Sequence, residues 1–263
     1  MTSLLFWATR PSHQNSAWQQ QLALLGDVLV LPLLDIVPLT KADDCQAINT
    51  YVADLDHYQH VIFVSQNAVA YGFEWINNRW PQLPSGVIFY AIGAKTAQAM
   101  RQHCDAVTEC GGAMDSETLL QIPSLQAMAH QKVLIFRGQG GRTFIAETLR
   151  ERGAHVNYCE LYARQLPEAA KSIGASIDPK RHHIVPLFSG ESLTNLLQVL
   201  PTSVDKRELQ LIVPAERVAD IARAAGFCRI AVAQNASEAA MLACIQQSLI
   251  NNSKLTMPNH HSL

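Results

Sequence analysis

Five short turns hold the side chains best suited to chemistry: Thr9-Arg10, Ser65-Gln66-Asn67, Gly93-Ala94-Lys95-Thr96, Arg137-Gly138-Gln139-Gly140-Gly141-Arg142 and Ser189-Gly190-Glu191-Ser192. Each ends an apolar run and opens a helical pattern. In a parallel sheet that place is the carboxyl end of a strand, where the next helix presents unpaired backbone N–H groups to a ligand. Gathered on matching edges, these turns make a surface rich in N–H and O–H donors and poor in acids, suited to an anionic ligand. Each serine or threonine taken alone is equally well explained as a helix N-cap. Arg137 and Arg142 are candidates for pairing with a carboxylate, against the plainer reading of surface arginines.

Other chemistries find less support. A GxGxxG dinucleotide fingerprint read from Gly138 fails at Thr143, although Glu160 stands where a ribose-binding acid is expected. No P-loop sequence is present. The ten histidines include the pairs His182-His183 and His260-His261, without the spacing of a zinc site. His182-His183, beside Lys180-Arg181, reads as a solvated loop. No GxSxG turn or activated cysteine marks a nucleophile. An enzyme without a strong acid–base constellation works mainly by positioning a reactive substrate. Tyr162 stands apart at the close of the strand Tyr158-Cys159-Glu160-Leu161. A phenol there donates a hydrogen bond and offers an aromatic face, or it simply anchors a linker.

The elements that carry these groups alternate. Strands are predicted at 4–8, 28–31, 60–64, 87–92, 106–109, 132–136, 155–161, 184–188, 209–213 and 229–233. Helices are predicted at 16–25, 43–55, 67–76, 95–103, 116–122, 142–152, 191–200, 216–225 and 237–249. That alternation implies βαβ units and parallel sheets covered on both faces, an α/β fold. The segment 251–263 is polar, holds Pro258 and is expected to fray.

The chain also repeats itself. Leu5-Phe6-Trp7-Ala8-Thr9-Arg10 precedes a helix ending at Gly26; Leu134-Ile135-Phe136-Arg137 precedes one ending at Gly153, at the same spacing from its arginine. Ile62-Phe63-Val64-Ser65 echoes Pro186-Leu187-Phe188-Ser189, Ile92-Gly93-Ala94-Lys95-Thr96-Ala97 echoes Val213-Pro214-Ala215-Glu216-Arg217-Val218, and Ser116-Glu117 echoes Ser237-Glu238. The arginine unit comes first at the N-terminus but last in the middle of the chain. Two similar α/β domains account for this if one is discontinuous: 1–37 with 167–263, and an inserted 38–166. Extended linkers near 33–38 and 161–167 then join them, and a cleft between two such lobes is a natural ligand site.

Composition sets the limits. The chain has 263 residues, 48% of them hydrophobic, with 20 basic against 22 acidic side chains. A chain this long can bury roughly 70–75% of its unfolded surface. Near-neutral charge argues against broad capture of nucleic acid. The stretch 22–39 is broken by Gly26, Asp27, Pro32, Asp35 and Pro38, so no membrane span is expected. Residues 1–9 carry no basic side chain, and the six cysteines form no CxxC, which together point to a reduced, cytoplasmic protein.

In order and spacing, these motifs resemble the uroporphyrinogen-III synthase family. The signposts are Ala8-Thr9-Arg10-Pro11, Ile62 to Val69, Ala91 to Ala97, Ser116-Glu117-Thr118-Leu119-Leu120, Gly140-Gly141-Arg142 with Gly153-Ala154, and Leu161-Tyr162-Ala163-Arg164. The resemblance implies two flavodoxin-like lobes on a two-stranded linker. It further implies a lyase that closes linear hydroxymethylbilane into the tetrapyrrole ring of haem and sirohaem, losing water and inverting the terminal pyrrole through a spiro-pyrrolenine intermediate. No metal or organic cofactor is implied. The implied protein is a monomer that takes its substrate by transient handover from the bilane-forming enzyme, with no nucleic-acid or membrane partner. In this reading Tyr162 assists departure of the hydroxyl, and Thr9, Arg10, Ser65, Thr96, Ser116, Arg137, Arg142, Ser189 and Arg217 bind the substrate. The second lobe departs from the family pattern at 213–218: Pro214 lacks an N–H, Glu216 adds an acid, and Arg217 stands in for a lost hydroxyl. A non-catalytic carrier or sensor of an anionic small molecule is the alternative that this departure favours, with a nucleotide-dependent enzyme third.

Overall fold

The computed structural model of the protein describes residues 3–104, 107–109, 116–178 and 180–255. Cys110 and most of the segment expected to fray, from 256 onward, lie outside them.

The chain opens with β1 (Leu4–Ala8), α1 (Asn15–Ala23) and β2 (Asp27–Val30). It continues through β3 (Asp35–Pro38), α2 (Ala42–Ala53), β4 (His60–Phe63), α3 (Gln66–Arg79), β5 (Ile88–Ala91), α4 (Ala94–Met100) and β6 (Val107–Glu109). Next come α5 (Ser116–Leu119), β7 (Lys132–Gly138), α6 (Phe144–Glu151) and β8 (His155–Gln165). The remainder is β9 (His182–Pro186), α7 (Gly190–Val199), β10 (Leu209–Val213), α8 (Glu216–Ala224), β11 (Arg229–Val232) and α9 (Glu238–Leu255). Two compact units result, one from Met1–Asp35 with Gln165–Leu263 and one from Ile36–Arg164.

The first unit's sheet runs β11–β10–β9–β1–β2 with parallel pairing throughout. Numbered within the unit, that is the 2-1-3-4-5 order of flavodoxin-like folds. In the second unit, β8–β7–β4–β5–β6 follow in the same way, with β3 added beyond β8. The order matches the first unit's once the β7–α6–β8 segment is moved to the front. This is the physical content of the displaced arginine repeat: β1 and β7 hold the same place in their sheets.

Both sheets are apolar on both faces, because helices cover both. Along β1, Leu5 and Trp7 join one core with α7 and α8, while Phe6 and Ala8 join another with α1 and α9. Along β7, Leu134 and Phe136 pack with α3, and Val133 and Ile135 with α6. A strand buried on both sides has no polar alternation, which is why these read as continuous apolar runs.

At the segments 33–38 and 161–167, read from sequence as extended, β3 and the extended end of β8 are neighbouring strands, with Leu39 N–H donating to the Leu161 carbonyl (3.0 Å). Pro38 is tolerated because it closes an edge strand. His182-His183 is not a loop: it opens β9, and His183 is buried, accepting from Trp7 Nε1 (3.0 Å) while its Nε2 meets the Asp178 carbonyl (2.7 Å).

His60, buried at the start of β4, contacts the Tyr90 hydroxyl through Nδ1 at 2.9 Å. Burial lowers its pKa below the ordinary 6.5, with a hydrogen bond to the Gln131 side chain opposing in part. The unfolded chain therefore takes up this proton more readily than the native one. The associated stability is complete above about pH 6.5 and is lost as pH falls through the lower native value. In urea titrations from pH 7.5 down to 5, His60→Gln should show a shallower loss of unfolding free energy than the parent; equal slopes would refute this.

Candidate active site

Tyr162 is held by a local irregularity. Arg137 pairs with Glu160 and Gly138 with Tyr162, so Leu161 is an extra residue on β8, a bulge. The bulge re-aims the phenol: Leu161 and Tyr162, adjacent in sequence, both pack into the α3-side core. Gly138 makes room for the ring, since a Cβ there would lie 2.7 Å from Tyr162 Cζ and 2.8 Å from Cδ2. Tyr71 packs against the same ring at 5.8 Å between centroids. The Tyr162 hydroxyl meets Ser65 Oγ at 2.9 Å, and Ser65 also caps α3, accepting from Ala68 N–H at 3.0 Å. Tyr162 is only 1% exposed.

Beside this phenol, at the carboxyl ends of the second unit's strands, is a cavity of about 330 Å³. Its lining includes Tyr162, Tyr158, Ser116, Arg137, Arg142 and Arg164, and among the described residues no acidic side chain. Arg137 is 6% exposed. Its Nε donates to the Gly138 carbonyl (3.1 Å) and its Nη1 to the Arg142 carbonyl (3.3 Å), while the guanidinium lies over the Tyr158 ring at 4.5 Å. Among the described residues it has no carboxylate partner. Gly140 and Gly141, at φ 68° and 88°, make the tight left-handed turn that brings the Arg142 carbonyl back to Arg137. These glycines build a turn over an arginine, and Thr143 in place of a third glycine costs nothing there.

Tyr162, Ser65, Ser116, Arg137 and Arg142 are thus brought together. Thr96 is buried in the first turn of α4, outside the cavity lining. The candidates of the first unit have internal partners. Thr9 donates to the Pro186 carbonyl, and Arg10 pairs with Glu238, bonds Gln14 (2.8 Å) and covers the Phe188 ring. Ser189 caps α7, accepting from Ser192 N–H at 3.1 Å. Arg217 is exposed. Glu216 pairs with Arg223 (2.6 Å), so this acid has its own counter-charge. The turn before α8 uses extended Ala215 where the turn before α4 uses Gly93 at φ 109°.

Ser189→Ala removes the α7 cap and is expected to cost about 1 kcal/mol of unfolding free energy. Denaturant midpoints of Ser189→Ala and Ser189→Gly against the parent check this. The glycine variant should lose less, and an alanine variant equal to the parent would refute the cap's role.

Sequence reasoning missed Arg164, Tyr158 and the role of Gly138. Arg164 had a weak signal, since it stands two residues beyond Tyr162 on a strand. The bulge had none.

The molecule is therefore an α/β protein of two flavodoxin-like units, one with a tyrosine beside a cation-lined cavity suited to an anionic small molecule. A sequence-family model described as uroporphyrinogen-III synthase HemD matches residues 16–243. The chain is 34% identical over 253 residues to "Uroporphyrinogen-III synthase" of Salmonella typhimurium, covering 90% of this chain and 98% of that protein. It is 32% identical over 249 residues to the protein of the same name from Escherichia coli, with the same coverage. The crystal structure of uroporphyrinogen-III synthetase from Helicobacter pylori has the same fold, with a TM-score of 0.60 at 18% identity, covering 95% of this chain and 100% of that one. The chain belongs to the uroporphyrinogen-III synthase family.

Proposed function

We propose that the protein is a cyclising lyase acting on linear hydroxymethylbilane, closing it to the type-III uroporphyrinogen with loss of water and inversion of the terminal ring. The observation that carries this reading for the chain's own residues is the Tyr162 hydroxyl, fixed by Ser65 beside a cavity with three arginines and, among the described residues, no acid. The bilane bears acetate and propionate groups, which suit such a lining. Tyr162 donates a hydrogen bond to the departing hydroxyl. Arg137, Arg142 and Arg164 take carboxylates, with Ser116 and the backbone N–H groups of the surrounding turns adding donors. Thr9, Arg10, Thr96 and Ser189 act in this reading by shaping their turns, and Arg217 is the exposed cation of the first unit.

The chemistry needs no metal or organic cofactor, because the pyrrole nitrogen supplies the electrons that expel the hydroxyl and the nucleophile is a carbon of the same molecule. Holding that chain in a bent conformation supplies the orientational part of the barrier. Free bilane closes without inversion, so the enzyme selects a route as well as accelerating one. A short-lived free substrate favours transient handover from the enzyme that makes it, to a monomer in the cytoplasm.

The test is incubation with freshly made hydroxymethylbilane, followed by oxidation and chromatography of the products. Excess type-III isomer is expected. Type I alone, at the rate without protein, would leave the carrier reading in place of the enzyme.

A further inference from the structure

Ser65 and Tyr162 share one hydrogen bond, and its direction decides what the phenol can do. Ser65 Oγ carries a single proton. It accepts from Ala68 N–H (3.0 Å) and lies 2.9 Å from Tyr162 Oη; the described residues give it no further partner. If Tyr162 donates to Ser65, the phenol's one proton is spent inside the protein. If Ser65 donates to Tyr162, the phenol's proton stays available to a ligand in the cavity that Tyr162 lines.

The surroundings of Ser65 favour the second arrangement. Its Oγ sits at the N-terminus of α3, a 14-residue helix, and already accepts a backbone N–H. Both the positive end of the helix and the accepted N–H withdraw electron density from Oγ. That weakens the oxygen as an acceptor and strengthens its O–H as a donor. The equivalent serine of the first unit sharpens the contrast. Ser189 caps α7 with nearly the same backbone angles (φ −158°, ψ 163° against −163°, 163°), but its Oγ meets Ser192 Oγ at 3.0 Å instead of a phenol. Of these two equivalent caps, the one on α3 is coupled to a tyrosine and the one on α7 is not.

We infer that Ser65 is a positioning residue: it donates its hydroxyl proton to Tyr162 Oη and so holds Tyr162 as a donor toward the cavity, in a relay running from Ala68 N–H through Ser65 O–H to Tyr162 O–H. This rests on the proposed lyase reading. As the C–O bond of the hydroxymethyl group breaks, its electron pair leaves with oxygen and the Tyr162 proton goes to that oxygen, so that water departs. The charge left on Oη is met by the Ser65 O–H. The proton later lost from the ring carbon that forms the new bond returns to Tyr162, and the net change is loss of one water.

The experiment measures kcat, KM and thermal midpoint for Ser65→Ala, Ser65→Thr and Ser65→Asp, and repeats Ser65→Ala in a Tyr162→Phe background. Ser65→Ala should lower kcat about tenfold, as loss of one hydrogen bond to a developing charge requires, with KM changed less than about twofold. Threonine, which caps and donates, should restore kcat. Aspartate caps the helix but can only accept; it should restore the midpoint without restoring kcat. In the Phe background the alanine substitution should have no further effect on kcat. A raised KM at unchanged kcat for Ser65→Ala, full turnover in Ser65→Asp, or independent effects in the double variant would each overturn the assignment. A parent protein that yields type-I isomer alone would instead overturn the lyase reading itself, whatever the variants do.

Discussion

Tyr162→Phe is expected to lower kcat by about two to three orders of magnitude while KM moves by less than about threefold. The substitution removes one oxygen and leaves the ring against Gly138 and Tyr71, where it packs. The lost bond to Ser65 costs about 1 kcal/mol of stability, so the variant folds. An interaction made only as the hydroxyl departs appears in kcat, whereas one made equally with bound substrate appears in KM. Gly138→Ala is the companion experiment, because it removes no functional group. A methyl 2.7 Å from Tyr162 Cζ has no room, so the ring must shift or β7 must part from β8. Turnover should fall although every proposed catalytic and binding side chain is still present. Steady-state kinetics at saturating substrate, with the isomer ratio recorded, decide both. A Tyr162→Phe enzyme within twofold of the parent would remove the phenol from the chemistry.

How much of this could be read beforehand depends on the range over which each feature is encoded. The βα alternation was legible because strands buried on both faces become apolar runs, and the turns after them need capping residues. Ser65 and Ser189 accordingly cap α3 and α7. The displaced repeat was legible because β1 and β7 occupy matching sheet positions and face matching packing demands. The edge strand β3 gave no periodic signal of its own, because Asp35-Ile36-Val37-Pro38 is short and ends in proline; it was read only as an extended segment, and its pairing beside β8 makes it a strand. His183 misled because two adjacent histidines beside Lys180 and Arg181 look solvated, while in β9 one of them is buried and accepts from Trp7 Nε1. Within the site, residue types were readable and partners were not. Arg10 and Arg137 stand at the ends of equivalent strands and look alike in sequence, yet Glu238, more than 200 positions away, neutralises one and, among the described residues, no acid reaches the other.

That difference makes Arg137 the second test. A guanidinium 6% exposed, with its Nε and Nη1 fixed on the Gly138 and Arg142 carbonyls and its face on Tyr158, is desolvated without a counter-ion among the described residues. Its remaining N–H groups stay available, in an orientation set before any ligand arrives. A carboxylate entering the cavity then forms charge-assisted bonds at little reorganisation cost, each of about 1.5–3 kcal/mol. Arg137→Ala should therefore raise KM about tenfold to a hundredfold, with a smaller change in kcat. Arg137→Lys should fail to restore it, because an ammonium cannot span two carbonyls and still present a flat pair of donors. Stability separates a binding role from a purely structural one. Removing a buried cation without a counter-ion relieves desolvation while releasing two carbonyls, and these effects oppose each other, so the thermal midpoint without ligand should move little. The rise in midpoint that product causes in the parent should be largely lost in the variant, because ligand-linked stabilisation scales with affinity. Exposed Arg217 provides the control, and Arg217→Ala should leave the ligand-free midpoint unchanged. If Arg137→Ala collapses the midpoint yet keeps the parent's KM, the arginine holds its loop and the carboxylates bind elsewhere.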